Sequence, residues 1–457
     1  MIVRSVSENG KDLPFTHEGN MLEIPVESVN IGQSKTYTIS YTGIPADGLY
    51  ISKNKFGDRT FFADNYPDRG QHWLPLVDHP SDKATVEWRV TAPNHYQTVA
   101  NGLLQEETNV GDDVMSHWKM DVPISTKVMV FGTARFAVEH SGDLNGIPIS
   151  AWIYPQDRDK GFSDFSKTQP ILDYFIAQLG EYSFKKLAGV QSKTRFGGME
   201  NAGNIFYGEN MVTGKGEIEA LLAHEIAHQW FGNSATEGSW HHLWLSEGFA
   251  TFCTDLYWED IYGRDAFVQR MQNERKRYLD YAPTNMVPII NPVKDDYLQL
   301  LSPLTYQKGA WVLHMLRHEI GDDHFWQGLR KYYEKYKYGN ALSEDFQVIM
   351  EEVSGHDLTT FFQQWLFQAG HPLLEVTWSE RGKLEILQKQ QTGIFSFPLD
   401  LKLTYGDGTT SLETIEVSKV KTTIKLKVDQ VITSIEVDPG TWLLFELKSL
   451  HNINTAD

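Results

Sequence analysis

The chain of 457 residues predicts a multidomain α+β fold, and three observations carry the prediction. Short runs of alternating apolar and polar residues, broken by Pro, Gly and Asn, fill roughly the first third. Helical periodicity dominates the middle. Alternating runs return toward the end, two of them flanking Asp407-Gly408, a dipeptide that favours a tight hairpin. The chain therefore divides into a β domain over 1–154, a helix-rich domain over 155–372 and a second β domain over 373–457.

The individual elements follow from local pattern. Strands are expected at 35–41 (KTYTISY), 84–91 (ATVEWRVT) and 128–138, where β-branched and aromatic residues alternate with polar ones. Helices are expected at 165–180, 217–231, 243–262, 265–281, 304–320, 322–336, 343–353 and 358–369. Ser343, before Glu344-Asp345, and Asp357, before Leu358, carry the short oxygen-bearing side chains of N-caps. The closing strands are expected at 399–405, 410–417, 421–428 and 432–437.

Composition narrows the class. The chain is 41% hydrophobic and 22% charged, ordinary for a soluble globular protein. A formal net charge of −19 argues against nucleic acid or an anionic membrane surface as the main partner, and it suits a site that attracts a cationic amine. No run of about 18 apolar residues predicts a membrane span, and no basic-then-apolar segment opens the chain as a signal peptide would. Cys253 is the only cysteine, so no intrachain disulfide can form. It is expected to be a small buried side chain rather than a nucleophile. Both a cytoplasmic and a periplasmic location fit these features.

The chemistry concentrates in His224-Glu225-Ile226-Ala227-His228, followed 19 residues later by Glu247. Histidines four apart on a helix share one face and can reach a single zinc ion. Glu225 lies beside them as a candidate general base on zinc-bound water, and Glu247 supplies a third ligand while a fourth position stays open. Gly214 and Gly216 precede the first helix, and a polar loop over 232–242 joins it to the second. The competing reading is a buried helix whose histidines only form hydrogen bonds. His314 and His318 have the same spacing, but no glutamate adjoins His314, and the apolar pattern of Trp311, Leu313, Met315 and Leu316 accounts for the helix. His241 and His242 read as loop groups rather than ligands.

Several separated motifs together resemble the aminopeptidase N family of zinc metallopeptidases, gluzincins related to leukotriene hydrolase. They are HEIAHQWFGN (224–233), LWLSEGFAT (243–251), Gly197-Gly198-Met199-Glu200-Asn201, Tyr306-Gln307-Lys308-Gly309, HWLPLVDHP (72–80) and FFQQWLFQAGHP (361–372). The resemblance implies a thermolysin-like catalytic domain between the β domains, a small closing β-sandwich, one catalytic zinc ion and peptide substrates with a free N-terminus. His224, His228 and Glu247 would be the ligands and Glu225 the base. Residues 197–201 would bind substrate, with Glu200 taking the free α-ammonium through a charge-assisted hydrogen bond and Gly197 and Gly198 admitting the substrate backbone. Tyr306 would donate to the oxyanion of the tetrahedral intermediate, and Gly309 would permit a close helix approach. Lys308 is expected to be structural.

The chain departs from the family pattern in three places. It begins inside the usual N-terminal β domain. It also stops before the helical domain that closes the cleft in many relatives, so a more open cleft is expected and leukotriene hydrolysis is a weak inference. Where relatives often carry a glutamine for the first-residue pocket, this chain has Tyr66 with Asp64 nearby. The leading expectation is a zinc aminopeptidase. The alternatives are a zinc endopeptidase or epoxide hydrolase, and a non-catalytic binding module on the same fold.

Overall fold

Alternation of side chains does become strand in the first part of the chain. In the computed structural model, which describes residues 1–26, 30–292 and 296–453, strand Ile2–Glu8 lies between Lys11–Leu13 and Tyr37–Thr42, antiparallel to both. A second antiparallel sheet sets Asp113–Ser125 between Leu103–Val110 and Lys83–Pro93, with Trp118 opposite Trp88. The stretch expected as one strand over 128–138 is divided. A short turn at Thr126–Val128 precedes Phe131–Ala134, and Ala137–Leu144 begins another sheet.

That further sheet positions part of the site. Its five strands run in the order Ala137–Leu144, Ile147–Ile153, Leu187–Ser192, Asn204–Gly208, Gly198–Met199. The middle pairs are parallel and the two outer pairs antiparallel. Leu187–Ser192 is buried at every residue, as a central parallel strand covered on both faces requires. Gly198–Met199 is the edge.

The chain forms two compact units. One comprises Met1–Asp173 and Tyr182–Gln229; the other comprises Tyr174–Glu181 and Trp230–Asp457. In the second unit, the helix Trp244–Tyr262 is buried continuously from Trp244 to Tyr257. A helix buried on every face belongs in a core, and helices Arg264–Tyr281 and Gly309–Ile320 pack on it. Phe231, Phe249, Tyr332 and Phe346 build an aromatic cluster beside Trp244. Cys253 is buried there, and burial pushes its thiol up, which leaves it unreactive.

Helix ends differ from the sequence pattern in instructive ways. The helix expected over 217–231 is Glu219–Ala227. The one expected over 304–320 opens as a π turn, Leu304–Lys308, and becomes α only at Gly309. Ser343 is the first residue of its helix rather than the cap. Asp345 reaches back to the Leu342 N–H (2.8 Å), while Ser343 Oγ serves Trp244 Nε1 (2.8 Å). Asp357 likewise is not the cap residue: the helix Thr359–Phe362 is capped at Leu358, and Asp357, one residue earlier, accepts from the Thr359 N–H at 2.9 Å.

The last residues form two sheets, ordered Lys421–Lys425, Lys383–Gln388, Leu373–Trp378, Glu446–Asn452 and Thr410–Val417, Phe397–Tyr405, Ile432–Val437. The hairpin at Asp407-Gly408 forms with Gly408 at φ +85°. No helix among the described residues is long and apolar enough to cross a membrane.

Candidate active site

The histidine helix Glu219–Ala227 is anchored by Leu222, Ala223, Ile226 and Ala227, all buried. His228 is the residue on which the helix ends, still in right-handed backbone, with its N–H on His224 O at 3.2 Å. The two imidazoles stand 86° apart with Nε2 atoms 3.1 Å from each other. Two nitrogens bound tetrahedrally to one zinc ion at its usual bond length lie roughly 3.3 Å apart. The pair therefore fits a shared metal ion without rearrangement.

Glu200 and Glu225 converge on the same histidine. One ligand atom from each of Glu200, Glu225 and His228 lies within 4.8 Å of the others, and all three residues are buried. Two carboxylates this close and shielded from water repel each other unless a cation offsets them. The arrangement thus favours a metal ion or a substrate ammonium. Tyr207, wholly buried, has its phenol pushed well above the ordinary value by burial and then by the charge of Glu225.

The segment carrying Glu200 is built around this carboxylate. Met199 pairs with Phe206 on the sheet edge and is buried. At Gly198 a Cβ would stand 2.2 Å from Glu225 Oε1, so its missing side chain makes room for that carboxylate. A Cβ at Gly197 would meet only the Met211 sulfur, at 3.8 Å. Asn201 is fully buried, and among the described residues no protein group meets its side-chain amide. A buried amide of this kind is a candidate to take a ligand's peptide group.

Gln229, which the sequence pattern did not single out, ties these pieces together. Its Nε2 donates to the carbonyl oxygens of Glu200 (2.9 Å) and Glu225 (3.2 Å), and its Oε1 accepts from the Gly203 N–H (2.9 Å). Only its adjacency to His228 hinted at a role.

In the second unit, Glu247 occupies the first turn of Trp244–Tyr262 and is buried. Tyr306, half-buried, lies in the π turn. Gly248 and Gly309 pack backbone to backbone; a Cβ on Gly248 would sit 2.9 Å from Gly309 Cα. This close approach, expected for Gly309, locks the residue after Glu247 against the residue three past Tyr306. Lys308 is fully buried against Tyr278, with Nζ 3.5 Å from Gln368 O, and burial lowers its pKa to about 7. His242 accepts from the Ser343 N–H through Nδ1 (3.1 Å), a structural duty within the second unit. His314 and His318 both stack on the Trp442 indole, at 4.7 and 4.5 Å.

Of the two first-residue-pocket candidates, Asp64 is committed elsewhere. It pairs with Arg69 at 2.8 Å and accepts from Thr194 and Arg195. Tyr66 packs edge-on against Phe196, immediately before Gly197, with ring centroids 6.0 Å apart.

Comparison with known proteins gives the family. Residues 164–365 match the Peptidase family M1 domain and residues 2–128 the Peptidase M1 N-terminal domain. Aminopeptidase A of Gloydius brevicauda is 30% identical over 69% of this chain and 35% of its own length. Glutamyl aminopeptidase of Bos taurus is 30% identical over 69% of this chain and 34% of its own length. Probable aminopeptidase 2 of Sulfurisphaera tokodaii is 26% identical over 93% of this chain and 57% of its own length. The chain thus spans about a third of the length of the first two relatives and somewhat over half of the third. With both parts of one family's architecture matched in order around this histidine–carboxylate cluster, the chain belongs to peptidase family M1.

Proposed function

We propose that the chain is a zinc-dependent aminopeptidase that removes N-terminal residues from peptides. The observation that carries this reading is the convergence of two buried carboxylates, Glu200 and Glu225, on His228, whose Nε2 is paired with that of His224. One carboxylate serves the chemistry and the other selects a free amine.

His224 and His228 would hold the metal ion, with Glu247 as third ligand. Bound there, zinc supplies Lewis acidity and lowers the pKa of water. Glu225 takes the proton from the attacking water and passes it to the leaving amine. Tyr306 donates to the developing oxyanion. Glu200 grips the α-ammonium, which places the first peptide bond, and no later one, over Glu225. Asn201 takes a substrate peptide group, Met199 and Gly197 shape the wall, and Tyr66 lines the first-residue pocket.

The thermolysin-like architecture of the helical domain, the closing β-sandwich and the division at 154 and 372 belong to the same reading. The matched spans, 2–128 and 164–365, support the first boundary, and the return of alternating strands after Leu373 supports the second.

Free aminoacyl fluorogenic amides, assayed beside their N-acetylated twins with zinc and then with chelator, test the proposal. Chelator-sensitive cleavage confined to the free-amine set is expected. Equal cleavage of acetylated substrates would point to an endopeptidase instead. No cleavage by the folded, zinc-loaded protein would favour a binding module.

A further inference from the structure

We infer that Gln229 is a positioning residue that sets the distance between the amine anchor Glu200 and the base Glu225, and through it the preference for a free N-terminus. The inference rests on the roles proposed above for those two glutamates.

The starting point is the early end of the histidine helix. Had it continued, the Gln229 N–H would bond to Glu225 O, four residues back. Instead it bonds to Ile226 O, three back, at 3.0 Å. The tightened last turn moves the Gln229 main-chain N–H from Glu225 O to Ile226 O. Its side chain reaches Glu225 O instead, Nε2 donating at 3.2 Å. The same nitrogen donates to Glu200 O at 2.9 Å, and the amide oxygen accepts from the Gly203 N–H at 2.9 Å. Two carbonyls and one N–H fix the orientation of the amide, because the reversed orientation would face oxygen with oxygen.

Gln229 is fully buried. One amide therefore joins the main chain of the residue bearing the base to that of the residue bearing the amine anchor. A second contact works in parallel, as the Glu225 carboxylate lies against the bare Cα of Gly198. Further along, the loop is held independently, with Asn101 Nδ2 donating to Ala202 O (2.9 Å) and Lys186 Nζ to Gly203 O (3.0 Å). Removing the Gln229 amide therefore loosens the main chain at Glu200, between Met199 on the sheet edge and the pinned carbonyls of Ala202 and Gly203. Exopeptidase selectivity is a matter of that one separation. If Glu200 shifts, the ammonium is still bound, but the scissile bond no longer meets the base.

The experiment compares Gln229→Met, which keeps shape without polarity, and Gln229→Glu, which keeps an acceptor for Gly203 and loses the donor. Each is measured beside wild type and Glu200→Gln. The readouts are kcat and KM on free and N-acetylated substrates, zinc affinity by chelator competition, and calorimetric affinity of the metal-free protein for leucinamide against N-acetylleucinamide. The free-to-acetylated ratio of kcat/KM is expected to fall roughly 10–100-fold, mainly through kcat, with zinc affinity unchanged. The metal-free preference for leucinamide over N-acetylleucinamide is expected to persist in both Gln229 variants and to be lost in Glu200→Gln, because the shifted carboxylate still binds the ammonium. An unchanged ratio in either folded, zinc-binding variant, while Glu200→Gln collapses it, overturns this inference alone. If Glu200→Gln also leaves the ratio intact, the role of Glu200 itself fails. Loss of folding or zinc in both Gln229 variants makes the residue a fold element and overturns the inference as well.

Discussion

Two histidine pairs in this chain have identical spacing and opposite fates. His224 and His228 bring their Nε2 atoms within 3.1 Å of each other. His314 and His318 instead stack on one indole, Trp442, and His314 Nε2 meets Thr441 O at 2.8 Å. The i, i+4 relation puts two rings on one helix face in both cases. What differs is the neighbourhood. Beside the first pair stand buried carboxylates and a sheet edge of glycine; beside the second stand Phe252, Phe267, Trp311 and Trp442. Spacing makes a shared ligand possible, and the surrounding charge decides whether the rings bind a cation or serve as packing.

The sharpest way to break the comparison is to remove one ring from each pair. His228→Ala is expected to abolish stoichiometric zinc, measured by elemental analysis, and to lower kcat/KM at least about a thousandfold, while the melting of the metal-free protein changes little. His314→Ala is expected to do the reverse. Zinc content stays at wild type, and stability measured by denaturant unfolding falls by about 3 kcal/mol, because a buried ring, its stacking and its bond to Thr441 are lost together. Retained zinc in the first variant, or lost zinc in the second, would reverse the assignment of the two pairs.

A smaller effect is expected at the glycine contact. Gly248→Ala places a methyl 2.9 Å from Gly309 Cα, so the two backbones must separate. Destabilisation of about 1–3 kcal/mol is expected, with kcat falling more than KM changes, because Glu247 and Tyr306 are displaced together. Unaltered kcat would show that this contact does not govern the chemistry.

A further effect is expected in pH dependence. Burial lowers the His314 pKa to about 3, below its ordinary 6.5. The unfolded chain therefore binds a proton that the folded chain refuses, and stability is lost as pH falls through the interval from about 6.5 to about 3. In the metal-free protein, where His224 and His228 have no ligand duty, His314→Gln is expected to flatten the stability–pH slope over that interval. A slope equal to wild type would remove His314 from the account.

Much of the architecture was legible because it is local. Alternation marked some of the strands, among them Tyr37–Thr42, Lys83–Pro93, Phe397–Tyr405 and Thr410–Val417, but not others such as Ile2–Glu8 and Leu187–Ser192; a tight-turn dipeptide marked the hairpin at Asp407-Gly408, and periodicity located the helices. The approach of His224 and His228, with Nε2 atoms 3.1 Å apart, was legible for the same reason, since their spacing is about one helical turn. What escaped was non-local or lay at an element's end. Gln229 looks like any polar residue after a histidine until the helix is seen to stop at Ala227, which turns its amide toward Glu200 and Gly203. The partner of Gly309 was hidden because Gly248 lies 61 positions earlier, a separation no periodicity spans. Ser343 carries a cap residue's side chain, but Trp244 and His242 compete for its hydroxyl.

The π turn at Leu304–Lys308 has a consequence for how this site tolerates change in chain length. It holds an additional residue in one turn, with the Lys308 N–H bonding five residues back to Pro303 O. Deleting Gln307 would let the segment relax to an ordinary α-helix. Because the wide turn absorbs that one residue, both flanks would keep their register, the helix from Gly309 onward with its buried face on Trp311 and Leu313, and only the residues of the turn itself, Tyr306 among them, would be re-aimed. Tyr306 would leave its present heading while the hydrophobic core stayed in register. A one-residue change in length at this turn is thus a way to detach the phenol from the fold, leaving the packing intact and the role proposed for Tyr306 unfilled.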